Sequence, residues 1–155
     1  MKIKFILAVA LFALFAGSGI TYAKCYNLNL TAQGTVSAIG CGSLTEDECL
    51  SGTININAPY TIQIFITSSL PHPFLNLVTF QTAETVITSK NGNQLFGINA
   101  ISTNAKGETA DLLTITGGTG SFTDSSGVLI LDTDINRTNG TFNTRMKGEI
   151  CTGVN

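Results

Sequence analysis

Ile115-Thr-Gly-Gly-Thr-Gly-Ser-Phe-Thr-Asp-Ser-Ser-Gly127 runs directly into Val128-Leu-Ile-Leu131. Four glycines and a cluster of small polar residues separate two runs of strand-forming residues, Leu112 to Thr116 and Val128 to Asp134. Glycine tolerates positive φ, so the stretch describes a strand that turns sharply into a loop and returns as another strand. A phosphate-binding loop is excluded, because such loops open a helix and end on Lys-Ser/Thr, which is absent here. Phe122 is expected to be an apolar plug set by the glycines, and the segment marks a fold more than a chemistry.

Outward from it, the same two-residue period covers most of the chain. Tyr60, Ile62, Ile64 and Ile66 alternate with Thr61, Gln63 and Phe65, which predicts a strand with one apolar face. Further strands are predicted over 26–32, with a separate piece through Val36 and Ala38, and over 53–57, 75–88, 94–102, 112–116, 128–134 and 141–150. That makes eight or nine. Asn91-Gly92 and Asn139-Gly140 suit tight hairpins in which both residues accept positive φ. Ser43 and Glu46 stand as in a capping box, but a helix over 43–50 would be a single turn, and a loop is the stronger reading. An all-β chain must close its sheet or stack two sheets to bury its apolar faces and remove edges, and the periodicity fits either a closed barrel or a β-sandwich.

A resemblance separates the two. Gly117-Gly-Thr-Gly-Ser-Phe122, the hairpin Ser89-Lys-Asn-Gly-Asn-Gln-Leu-Phe-Gly97 and the strand from Gly140-Thr-Phe142 to Gly148-Glu-Ile150 resemble segments of the allene oxide cyclase and dirigent barrels, including uncharacterised bacterial-type secreted members. The likeness covers Val78 to Cys151 and more loosely Leu30 onward. It implies a closed antiparallel barrel of about eight strands. It implies no reaction, since this barrel hosts unrelated functions, and no functional residue of those families aligns onto a definite position here.

Residues 1–23 read as a secretory signal: Lys2 and Lys4 precede the apolar run Phe5 to Phe15, and Thr21-Tyr22-Ala23 forms a cleavage site. The run is short for a membrane span of about 20 residues. Residues 24–155 are then one domain, exported to the periplasm or secreted. Lys24 stands before Cys25 where a lipoprotein carries a small residue, which argues against lipidation. Without Lys2 and Lys4, six basic residues face ten acidic ones, and no basic cluster exists to bind nucleic acid.

Cys25, Cys41, Cys49 and Cys151 have no zinc-like spacing, and in an oxidising compartment they are expected to form two disulfides, with three pairings open. In a closed barrel the first and last strands meet, which favours Cys25 with Cys151 and leaves Cys41 with Cys49. The lone histidine, His72, lies between Pro71 and Pro73 and reads as a turn residue, so triad chemistry lacks a base. Asp132, Asp134 and Asn136 have the spacing of early calcium ligands, but Arg137 replaces the required glycine, and a solvated strand face is expected instead. No metal or cofactor is expected. The three Asn-x-Thr matches at Asn29, Asn136 and Asn139 matter only in a eukaryotic secretory pathway.

The functional expectation is a disulfide-stabilised binding or structural-interaction module that holds a small apolar ligand in the barrel. The alternative is a cyclase or isomerase acting on an apolar substrate. It would need a hollow interior and an inward carboxylate, for which Glu84 is the candidate if the face shared by Val78, Phe80 and Thr82 points inward. A barrel filled by its own side chains would remove both internal roles.

Overall fold

The computed structural model describes residues 23–37, 48–56, 59–72 and 77–153. The expected signal segment, apart from Ala23, and Cys41 lie outside these residues. Eight strands follow one another: β1 (Lys24–Ser37), β2 (Glu48–Ile54), β3 (Tyr60–Pro71), β4 (Val78–Ser89), β5 (Gln94–Asn104), β6 (Glu108–Gly118), β7 (Ser126–Asn136) and β8 (Thr141–Thr152). Each pairs antiparallel with the next, and β8 returns to β1, so the sheet closes into a barrel. The sandwich alternative falls.

Two local expectations change. β1 is one continuous strand rather than two pieces, because Gly34 stays in the ladder opposite Gly52 and Phe142. Glu48, Cys49 and Leu50, expected in a loop, begin β2 and pair with Ile66, Phe65 and Ile64.

Alternation places the core. On β6, Thr109, Asp111, Leu113 and Ile115 are buried between exposed neighbours. On β8, Phe142, Thr144, Met146 and Ile150 are buried, while Asn143, Arg145, Lys147 and Glu149 are exposed. Ile62, Leu113, Leu131 and Met146 are completely covered at the centre. Gly34 and Gly52 make room there for Phe142, since a Cβ on either would lie 2.8 Å from its ring. Deleting a side chain at a cross-strand pair thus seats a large ring.

The turns show glycine acting alone. Gly92 and Gly140 take φ of +82° and +64°, whereas Asn91 and Asn139 stay at negative φ. The expected two-residue hairpins are therefore replaced by longer ones, and Asn136 Oδ1 accepts the N–H groups of Thr138 and Asn139 at 3.0 and 3.3 Å.

Strand lengths leave one end of the barrel incomplete. β1 pairs with β8 from Lys24 to Thr35, but β2 covers only Ala32 to Ser37. Among the described residues, Lys24 to Leu30 therefore have a strand on one side only, while Asn55 N–H still reaches the Thr31 carbonyl at 2.8 Å. This open end also carries the β2–β3, β4–β5 and β6–β7 connections.

Candidate functional site

The inward residues of the half-covered part of β1 are Tyr26, Leu28 and Leu30, and with β2 ending at Ile54 nothing from that strand shields them. They line a pocket of 370 Å³ together with Ile150 and Met146, their ladder partners on β8, and with Ile54, Ile56, Tyr60, Leu95 and Leu129. Among the described residues, no charged side chain lines it. Tyr26, Tyr60, Ser121 and Thr152 supply the polar atoms. The volume falls within the range of small-molecule sites, roughly 300 to 1,000 Å³.

The glycine-rich loop also lines the pocket. After β6, the chain makes a single 3-10 turn over Gly120–Phe122. Gly120 has φ of +56°, a conformation that favours glycine, and a Cβ on Gly118 would lie 2.4 Å from the Gln94 carbonyl and 2.6 Å from Phe122 Cβ. Phe122 can therefore fold back onto the core, with its ring centroid 6.5 Å from that of Tyr60. It packs at the margin of the open end without filling it.

The disulfide holds the β1 wall. Cys25 and Cys151 are directly paired across β1 and β8, and their sulfurs are bonded across a Cα–Cα distance of 3.9 Å. Lys24 Nζ sits 5.2 Å from the centre of the Tyr26 ring, outside the pocket lining. Cys49 is also disulfide-bonded. Its pairing with Cys41 rests on a residue outside the described set.

Deeper inside, the inward side chains are closely covered. The space beside the buried Asp111 is only 20 Å³, about enough for one water molecule. Asp111 is nevertheless an inward carboxylate. Asn99 Nδ2 donates to its Oδ2 at 2.8 Å, and Thr85 Oγ1 donates to Asn99 Oδ1 at 2.7 Å. Burial pushes its pKa up to about 7, against the opposing effect of the Asn99 hydrogen bond. Nearby, Thr133 Oγ1 donates to Thr144 Oγ1 at 2.6 Å.

The other sequence candidates disperse. Glu84 is exposed on the outer wall, because the face it shares with Phe80 and Thr82 points to solvent and the alternate residues Ala83, Thr85 and Ile87 point inward. The condition for Glu84 as an internal acid is therefore not met. Asp132 is exposed and ion-paired with Arg145 at 3.0 Å, which removes a charge that a calcium site would need. His72 lies beside Phe80, ring centres 5.9 Å apart. Cys25, Glu149 and Cys151 lie close together, but both sulfurs are spent in the disulfide. Asp111 escaped the sequence reading because the predicted strand began at Leu112. Its signal was there in the alternation of Asp111 with Leu113 and Ile115.

No family profile matches the chain, and no curated protein matches it. Its structural neighbours include dirigent proteins. The pterocarpan synthase dirigent protein GePTS1 is 12% identical, over 88% of this chain and 94% of that one, with a TM-score of 0.38. The pterocarpan synthase dirigent protein PsPTS1 is 11% identical, over 85% and 97%, with a TM-score of 0.35. Among the described residues no helix is long and apolar enough to cross a membrane.

Proposed function

We propose that this barrel is an exported binding module that takes a small, uncharged, apolar ligand at its open end, not in its centre. The pocket of 370 Å³, with no charged lining among the described residues, carries the reading. Burial of an apolar guest there would contribute about 25 cal/mol per Å² removed from water, and the two tyrosines and Thr152 could satisfy one hydroxyl or carbonyl. Export is supported by the disulfide, which persists in oxidising compartments. The cyclase or isomerase alternative is less well supported: Asp111 is inward, but the 20 Å³ beside it leaves no room for an apolar substrate.

Native mass spectrometry of protein purified from its source is the direct test. The expected result is an adduct of a few hundred daltons that organic extraction removes, and that is absent after substitution of Leu28→Asp. Protein that carries no adduct, and takes none up from an organic extract of its source, would count against the proposal.

A further inference from the structure

A second site lies at the opposite end of the barrel and shares no residue with the apolar pocket. The Thr85–Asn99–Asp111 chain fixes the Asp111 carboxylate through Oδ2. Its other oxygen, Oδ1, is buried without a hydrogen-bond partner on a side chain that is 5% exposed. Asp111 lines the 20 Å³ cavity together with the hydroxyl residues Thr103, Thr109 and Thr133 and with Glu48 and Gln81, set among the aliphatic side chains of β2, β3, β5 and β7. Glu48, Gln81 and Thr103 also line an outer cleft of 420 Å³, whose remaining walls include Ser69, Thr79, Asn104 and the Arg137 that pairs with Glu48. The cavity is thus the floor of an open polar cleft.

Charge and size narrow what fits there. Of the two carboxylates on the cavity wall, Glu48 is paired with Arg137 at 2.9 Å, while Asp111 has no cationic partner among the described residues. A buried carboxylate left alone is costly, so it favours a proton or a cation beside it. A space of 20 Å³ admits one heavy atom. A calcium ion would demand about six to eight oxygen ligands, more than one carboxylate and a few hydroxyls provide. A primary ammonium brings one heavy atom, one positive charge and three donors, for which the Asp111 carboxylate and the hydroxyls of Thr103, Thr109 and Thr133 are the acceptors in this lining.

We propose that this cleft binds a small primary amine, with the ammonium nitrogen in the cavity against the Asp111 carboxylate and a short polar body in the outer cleft. Asn99 positions the carboxylate, and the threonine hydroxyls accept the remaining N–H bonds. Glu48 stays neutralised by Arg137 and is the other titratable group facing the cavity.

Calorimetric titration at about pH 8 with methylammonium and 2-aminoethanol tests this, with tetramethylammonium and sodium chloride at equal ionic strength as comparisons. Saturable binding of the two amines alone is expected. Asp111→Asn should weaken it by about tenfold or more, and Glu84→Gln, on the outer wall, should leave it unchanged; a lost hydrogen bond to a charged group has that magnitude. Thr109→Val keeps the side-chain shape, removes one acceptor and should weaken binding several-fold, which keeps the test open should Asp111→Asn fail to fold. No saturable binding, equal binding of tetramethylammonium, or undiminished binding by the Asp111 and Thr109 variants would overturn the proposal.

Discussion

Phe142 and Arg145 lie three positions apart on β8 and meet opposite surroundings. Phe142 fills the space left by Gly34 and Gly52 inside the barrel, whereas Arg145 reaches across the outer wall to an equally exposed Asp132. Phe142→Ala should therefore cost about 3 to 5 kcal/mol in denaturant unfolding, and Arg145→Ala about 0.5 or less. Small, equal effects would contradict the face assignment. Asp111 makes a pH prediction. Its folded pKa, about 7, lies above the ordinary carboxylate value of 3.8, so between these values the folded state holds a proton that the unfolded state has lost. Its contribution is fully present below about pH 4, declines by of order 1 kcal/mol per pH unit as pH rises, and is lost above about pH 7. Urea melts of Asp111→Asn from pH 4 to 8 should show a shallower fall than the parent protein, and identical slopes would exclude Asp111 as the source.

β1 shows which parts of the elements were legible. Its inward residues follow from alternation, as do those of β3 and β8, because a two-residue period needs only local sequence. Its continuity does not follow, since Gly34 reads as a breaker until Phe142 from a strand more than 100 residues away is seen to occupy the vacant space. Glu84 failed for a related reason. Phe80 suggests an inward face, yet it is 48% exposed, and Ala83, Thr85 and Ile87 make the buried face of β4. Small and hydroxylated inward residues carry little hydropathy, so polar interior positions such as Thr85 and Asp111 are hard to read from periodicity. The β1–β8 connection also carries a stability prediction. The Cys25–Cys151 bridge spans a sequence separation of 126 residues, and the chain-entropy estimate for so long a loop is about 4 to 5 kcal/mol. Replacing both cysteines by serine should lower unfolding free energy by that order and raise hydrogen exchange along Tyr26 to Leu30. Exchange confined to its parental rate would show that the bridge does not hold the pocket wall.

At the scale of the molecule, periodicity left a closed barrel and a sandwich open, and closure of the sheet was legible only through the resemblance carried by the glycine-rich segment, the 89–97 hairpin and the last strand; the content of the barrel was not legible at all. Whether eight strands enclose a ligand or only their own side chains depends on volumes summed over every inward position. Here Ile62, Leu113, Leu131 and Met146 are completely buried, and a short β2 opens the wall at one end. The proposed ligand accordingly binds at the open end and leaves the interior side chains in place. Methyl NMR during titration with a neutral apolar dye tests this most directly: methyl signals of Leu28, Leu30, Ile56 and Leu95 should shift in a saturable way while those of Leu113 and Leu131 stay in place. Shifts concentrated at Leu113 and Leu131, or none at the open end, would contradict it.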